Sequence, residues 1–322
     1  MKKSITWLKG MAMLLIVISH MYTVSGNKVI YEFCDDLGRL GVIFFICISA
    51  VAYGNSPQKV YKINNGKDIL TYICKKIKPL YKIYVIFLII MFFIRMMFKE
   101  NIKYLVLQLV VSIPLLQSYI PYKTVFAYSL NTPMWYLSMM LLLWGGLPFT
   151  KKVCEALTSK KFNWNVIYVT LIVFIYGLCQ LNIGDEWKRW LIYVNPVINW
   201  IYFSFAYLYA NTHTKYCSKR LIGGCITLLV TYAVKDFFPV DFRVVIFILP
   251  VVMITQNLFV YSKVSQFNGF FLYLGKTSTT LFITHYPICY IFRSLGYSGP
   301  IPFIICLAMI IGLSHIVYRM KF

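Results

Sequence analysis

The feature that most constrains this chain is a succession of apolar runs, each close to the length needed to cross a bilayer. They fall at 6–24, 39–54, 79–98, 133–149, 164–182, 190–210, 219–236, 243–260, 277–293 and 300–318. A hydrocarbon core of about 30 Å takes roughly 20 helical residues, and a backbone in lipid has to satisfy its own hydrogen bonds. The pattern predicts an all-α polytopic membrane protein of about ten transmembrane helices. With 60% hydrophobic residues over 322 and a mean hydropathy of +0.70, a soluble fold does not compete. The 26 Tyr and 25 Phe suit aromatic belts at the membrane surfaces. Lys2-Lys3 ahead of the first run resembles a signal peptide, but no small-residue cleavage site follows and further apolar runs do, so the run reads as the first span.

Charge placement orients the spans. An eleventh apolar piece, 104–120, contains Gln108, Ser112, Pro114 and Gln117, and is read as an interfacial or re-entrant helix on the outer side. The connection from Lys151-Lys152 to Lys160-Lys161 then lies on the same side as Lys2-Lys3, as the positive-inside rule requires, with both termini cytoplasmic. On this reading 21 of the 32 Lys and Arg lie inside with only Asp68 and Glu155, against eleven cations and eight acids outside. The formal charge of +22 is therefore an orientation signal and not the mark of a nucleic-acid partner. The nine cysteines form no Cys-x-x-Cys pair and sit mostly inside apolar runs, where they act as small hydrophobes. No metal-ligand spacing, Walker loop, GxGxxG fingerprint or Gly-x-Ser-x-Gly elbow is present, so neither a metal nor a bound cofactor is expected.

Within the first span, Trp7 to His20 carries a cation, Lys9, and an imidazole, His20, eleven positions later. That spacing is about 20° past three full helical turns, so the two side chains share a face roughly 16 Å apart along the axis. Ionisable groups inside spans are costly and are candidates for function. His20 has the chemistry of a general base near neutrality; a structural, hydrogen-bonded histidine is the plain alternative. Lys9 either snorkels to cytoplasmic headgroups or faces a polyanion at the mouth of a channel leading to His20. Lys75, Lys76 and Lys78 lie in the basic segment 55–82, which serves either anionic lipid or a phosphate-bearing ligand. Asp36 and Arg39, at the outer start of the second span, form a local ion pair or supply a carboxylate to orient His20. Trp135, following Thr132-Pro133, is a belt aromatic or stacks on a sugar ring, and His285, ahead of the helix-kinking Pro287, is structural or touches substrate. His213 and His315 read as structural.

These residues resemble the first-span signature of the acyltransferase-3 family, the bacterial integral-membrane O-acyltransferases, in which an Arg or Lys precedes a His by ten intervening residues. Further pieces match in order: Gly41-Val-Ile-Phe-Phe-Ile-Cys-Ile-Ser49, the basic Pro-containing Lys75-Lys76-Ile-Lys78-Pro79-Leu-Tyr81, Trp135-Tyr-Leu, and Leu274-Gly-Lys-Thr-Ser278 with His285-Tyr-Pro287. The branch that O-acetylates fucose and related sugars looks most similar. The chain departs from the family pattern in carrying Lys9 for the commoner Arg, Ala50 for a Gly, and no Glu after Trp135. The resemblance implies a single integral-membrane acyltransferase domain over 1–322, without an appended hydrolase domain. It also implies acyl transfer, by preference acetyl, from cytoplasmic acetyl-CoA to a hydroxyl of a glycan or lipid-linked oligosaccharide, in a bacterial cytoplasmic membrane. In that picture His20 is the base and Asp36 its partner, Lys9, Lys75, Lys76 and Lys78 meet the CoA phosphates, and Trp135, Arg39 and His285 meet the acceptor. Ser49 and Thr284 are candidate oxyanion donors. Membrane lipids are partners in any case, and association into a homo-oligomer stays open. A proton-coupled glycan transporter, with Lys9 and His20 as a relay, is the rival from another class.

Overall fold

The computed structural model describes residues 3–25, 28–55, 66–121, 129–159, 163–261 and 269–320. Lys160 and Lys161, and residues 56–65 of the basic segment, lie outside the described residues. All regular structure among the described residues is helical. The longer helices are α1 (Lys3–His20), α2 (Lys28–Gly54), α3 (Gly66–Met97), α4 (Ile102–Ser112), α5 (Trp135–Ser159), α6 (Trp164–Cys179), α7 (Pro196–Thr212), α8 (Ser218–Ala233), α9 (Arg243–Val260), α10 (Gly269–Lys276), α11 (Ser278–Ser294) and α12 (Pro300–Arg319).

Each of the ten apolar runs lies largely on one of these helices, although 6–24 extends past the end of α1 and 190–210 is interrupted at Asn195, between a π-helical turn (Trp190–Val194) and α7. Among the described residues, five stretches are long and apolar enough to cross a membrane: Asp36–Gly54, Gly66–Met97, Asp185–Thr212, Arg243–Val260 and Pro300–Arg319. The others are shorter or less apolar. Helix α3 begins well before residue 79, so the basic segment continues as helix into the apolar one, through Pro79. The 104–120 piece divides: α4 has 11 residues, about 16 Å of helix and too short to span. The turn after it is held against α3 by Tyr84, whose hydroxyl donates to the Ser112 carbonyl at 2.5 Å, and by Tyr81, which donates to the Ile113 carbonyl at 2.9 Å. Asparagines start three helices. Asn101, Asn163 and Asn195 each accept from the backbone N–H two residues on, at 3.0, 2.9 and 2.8 Å, which satisfies one of the free donors of α4, α6 and α7.

Helix α1 is the axis of the bundle. Leu8, Ala12, Met13, Ile16 and Val17 are buried, as expected of a helix apolar on all sides and enclosed by others. Two glycine contacts bring α10 against it. A methyl group on Gly10 would lie 2.0 Å from the Phe271 carbonyl oxygen, and one on Gly275 would lie 1.7 Å from the Thr6 carbonyl oxygen. Small residues at helix crossings let backbones touch where lipid offers no hydrophobic drive to association. On the other flank, Gly38 and Gly41 of α2 meet Ser19 and Ile16. Apolar side chains left exposed on the peripheral helices, such as Ile89 and Phe93 on α3, Val169 and Val173 on α6, Leu229 on α8 and Ile301 on α12, form the surface such a bundle turns to lipid. None of the nine cysteines forms a disulfide.

Candidate active site

Four helices, α1, α2, α5 and α11, each contribute side chains to two neighbouring cavities. The first, of about 610 Å³, takes Ile5 and Lys9 from α1, Ser49, Ala52 and Tyr53 from α2, Tyr136, Met140 and Trp144 from α5, and Ser278, Thr279 and Phe282 from α11. Tyr72, Lys76 and Leu80 of α3 close its side. The second, of about 420 Å³, takes Ile16, Ser19 and His20 from α1, Gly38, Arg39 and Val42 from α2, Trp135 and Tyr136 from α5, and Phe282, Tyr286, Tyr290 and Arg293 from α11. Tyr136 and Phe282 belong to both. Their rings meet edge to face with centroids 5.6 Å apart, and together they form the wall between the two spaces. The face shared by Lys9 and His20 on α1 thus opens on both sides of that wall.

The lysines do not form one cluster. Lys76 joins Lys9 because Tyr72, Lys76 and Leu80 recur every four residues on the cavity face of α3. Its ammonium lies over the Tyr53 and Tyr72 rings at 5.6 and 5.5 Å, and Tyr72 donates to the Tyr53 hydroxyl at 2.8 Å. Lys75 and Lys78 instead line a separate surface groove with Cys74 and Tyr81.

Asp36 does not orient His20. Its carboxylate is 2.6 Å from Lys235, 3.2 Å from Arg243 and 3.8 Å from Arg39. Asp236 bridges the same two partners, at 2.8 Å to Arg243 and 3.3 Å to Lys235. Lys235 is thus held between two carboxylates, those of Asp36 and Asp236. Asp36 therefore fastens the start of α2 to the segment before α9. No ion pair joins a carboxylate to His20 among the described residues.

What stands beside His20 is a second imidazole. The His20 and His285 rings have centroids 5.1 Å apart, and Tyr286 packs edge-on to His20 at 5.8 Å. His285 is fully buried and lines neither cavity, so it meets His20 and not a ligand. Its Nδ1 lies 2.9 Å from the Leu281 carbonyl. A carbonyl only accepts, so Nδ1 carries the proton and Nε2 is a bare acceptor, which finds no partner in the fold. Thr284 also faces neither cavity, whereas Ser49 lines the Lys9 cavity and interacts with the Tyr136 hydroxyl.

Trp135 and Arg39 both line the His20 cavity. Trp135 is buried and packs edge-on to Tyr193 at 5.1 Å, and the Arg39 guanidinium lies 5.9 Å from the same ring. Thr132 donates to the Tyr286 hydroxyl at 2.8 Å and so ties the start of α5 to α11. Sequence reasoning passed over Arg189, Tyr193, Tyr286 and Arg293, which line the same space. A signal existed for part of this: Phe282, Tyr286, Tyr290 and Arg293 follow one helical face at intervals of four, four and three.

A family model for the acyltransferase-3 domain, described as an acyltransferase domain, matches residues 2–319. No curated protein and no solved structure matches the chain.

Proposed function

The chain belongs to the acyltransferase-3 family and is a multi-pass membrane O-acyltransferase; from that premise we propose that it moves an acetyl group from cytoplasmic acetyl-CoA to a hydroxyl of a cell-envelope or exported glycan. The membrane is a bacterial cytoplasmic membrane, crossed ten times with both termini inside. Helix α4 lies at the outer face.

The observation that carries this reading is the pair of cavities along α1, with a cation in one and an imidazole in the other. The Lys9 cavity takes the donor. Lys9 and Lys76 meet CoA phosphates, and the pantetheine arm follows the apolar lining toward the wall. The His20 cavity takes the acceptor, with Trp135 as the face on which a sugar ring stacks. At the wall the acceptor oxygen attacks the thioester carbonyl carbon while a bare nitrogen of His20 removes the hydroxyl proton. The C–S bond breaks, and the CoA sulfur leaves and takes that proton from the imidazolium, so the base is restored. His285 takes the orienting role first assigned to Asp36: its ring packs against the His20 ring and limits the orientations open to that base. The Tyr136 hydroxyl, beside Ser49 and shared by both cavities, is the donor for the developing oxyanion. The Tyr136 and Phe282 rings, in contact where the two cavities meet, favour transfer over transport.

The test is CoA release from acetyl-CoA by detergent-purified protein, wild type beside His20→Ala. Loss of a general base predicts a fall of about 10²–10⁴-fold in a variant whose thermal unfolding is unchanged. Release at the wild-type rate by His20→Ala would sink the mechanism.

A further inference from the structure

The His20 cavity carries more positive charge than acylation of a neutral hydroxyl needs. Arg39, Arg189 and Arg293 all line it, and no Asp or Glu does among the described residues. The arginines are staged by depth: the Arg39 side chain is 4% exposed and that of Arg189 39%, while Arg293 is exposed at the rim. The acids stand behind the lining. Asp36, 3.8 Å from Arg39, is shared with Lys235 and Arg243, and Asp241 lies 3.6 Å from Arg189. Glu100 is paired with Arg95 at 2.6 Å and receives the Tyr290 hydroxyl. Arg293 forms no ion pair with a described carboxylate; its guanidinium lies 5.8 Å from the Tyr290 ring.

Guanidinium is the group that matches a carboxylate or phosphate in plane, two bonds at a time. Three guanidiniums face this cavity, with the acids paired to Arg39 and Arg189 behind them and none in its lining, an arrangement that favours an anionic ligand over a neutral one. The aromatic rings between them, Trp135, Tyr193 and Tyr286, present flat faces to the ligand.

We propose that the acceptor is an anionic glycan, whose carboxylate or phosphate docks on Arg293, Arg189 and Arg39 in turn while its hydroxyl faces His20. This rests on the reading of the His20 cavity as the acceptor site.

The test is equilibrium binding to detergent-purified protein of three probes: methyl β-D-glucopyranoside, methyl β-D-glucuronide and methyl α-D-glucopyranoside 6-phosphate. At least one anionic probe should bind about tenfold or more tightly than the neutral one, about the worth of one charge-assisted contact. The advantage should shrink severalfold in Arg293→Gln, be kept in part in Arg293→Lys, and fade at high salt. Preference for the glucuronide points to a uronic acid acceptor; preference for the phosphate points to a phosphosugar or lipid-linked phosphate. Equal binding of neutral and anionic probes, or binding of none of them, overturns the proposal. His20-dependent CoA release on the same preparations keeps the two readings apart: if it persists without anion preference, only the acceptor class falls, and if it is missing, the acyl-transfer reading falls with it.

Discussion

The Lys9 and His20 cavities are lined by the same four helices, yet the first holds its charge on amines and the second on guanidiniums. Lys9 and Lys76 stand in a largely apolar chamber, and Lys76 rests on the faces of two tyrosines. A lysine ammonium is a compact charge on a flexible stem and can follow a ligand whose phosphates move as a long arm threads inward. The other cavity is stiffened by ion pairs: Arg39 to Asp36, Arg189 to Asp241, and Arg95 to Glu100 behind Tyr290. Rigid forks suit a ligand that has to present one hydroxyl to one base. The difference teaches that a single bundle can hold a compliant grip and a fixed one a few helical turns apart, provided the helices between them do not shift.

That proviso gives the change with the largest expected effect. Replacing Gly275 by Val should collapse both cavities together, because the new Cβ would stand 1.7 Å from a backbone oxygen of α1, and neither backbone has room to yield. Overpacking costs about 1–3 kcal/mol and more where backbone is struck. Gly269→Ala in the same helix meets open space and should stay within about 0.5 kcal/mol of wild type. Thermal unfolding of the two variants reads the contrast, and equal midpoints would refute the central crossing. A smaller change sharpens the distinction between the cavities. Lys76→Met should weaken acetyl-CoA binding about tenfold, and Lys9→Ala should do so more than Lys9→Arg. Lys75→Met, on the outer groove, should leave it within about twofold. Comparable losses at Lys75 and Lys76 would return the donor site to the lipid-facing surface.

The smallest effect concerns the stiff end. Burial alone would lift the Glu100 carboxyl. The Arg95 and Tyr290 hydrogen bonds and the charges of Arg95 and Arg293 outweigh it and leave the group below its ordinary 4.5. A depressed carboxylate stabilises the fold fully above its unfolded value and loses that contribution as pH falls through the folded one. Wild type should therefore exceed Glu100→Gln in thermal midpoint at pH 7, with the gap narrowing below about pH 4.5. A gap constant from pH 7 to pH 3.5 would remove Glu100 from the account.

Much of the fold was legible because lipid leaves few choices: each of the ten long apolar runs lies largely on a helix. The shared face of Lys9 and His20 was legible for the same reason, since it needs only helical geometry within one segment. What escaped depends on distance in sequence. Asp36 and Arg39 are three residues apart and their pairing could be read, but Lys235 and Arg243, which claim the Asp36 carboxylate, lie about 200 positions away. The three lysines of 75–78 looked like one patch until the α3 helix, continuing through them, sent Lys76 to one side and Lys75 and Lys78 to another. Gly10 and Gly275 sat inside recognisable motifs, but that each fits against a backbone of the other's helix is a fact of packing alone.

The wall of Tyr136 and Phe282 has a consequence for the cell as well as for the reaction. On the proposed topology the two chambers face opposite compartments, and such a protein would also be part of the insulation that sustains a proton gradient. Joined, the chambers would be a wet hole lined with bases and cations. Two aromatic rings in edge contact where the chambers meet would oppose a continuous file of water molecules. The same contact that limits what is transferred thus limits what leaks, and a variant that widened it for larger acyl groups would be expected to cost its host membrane potential.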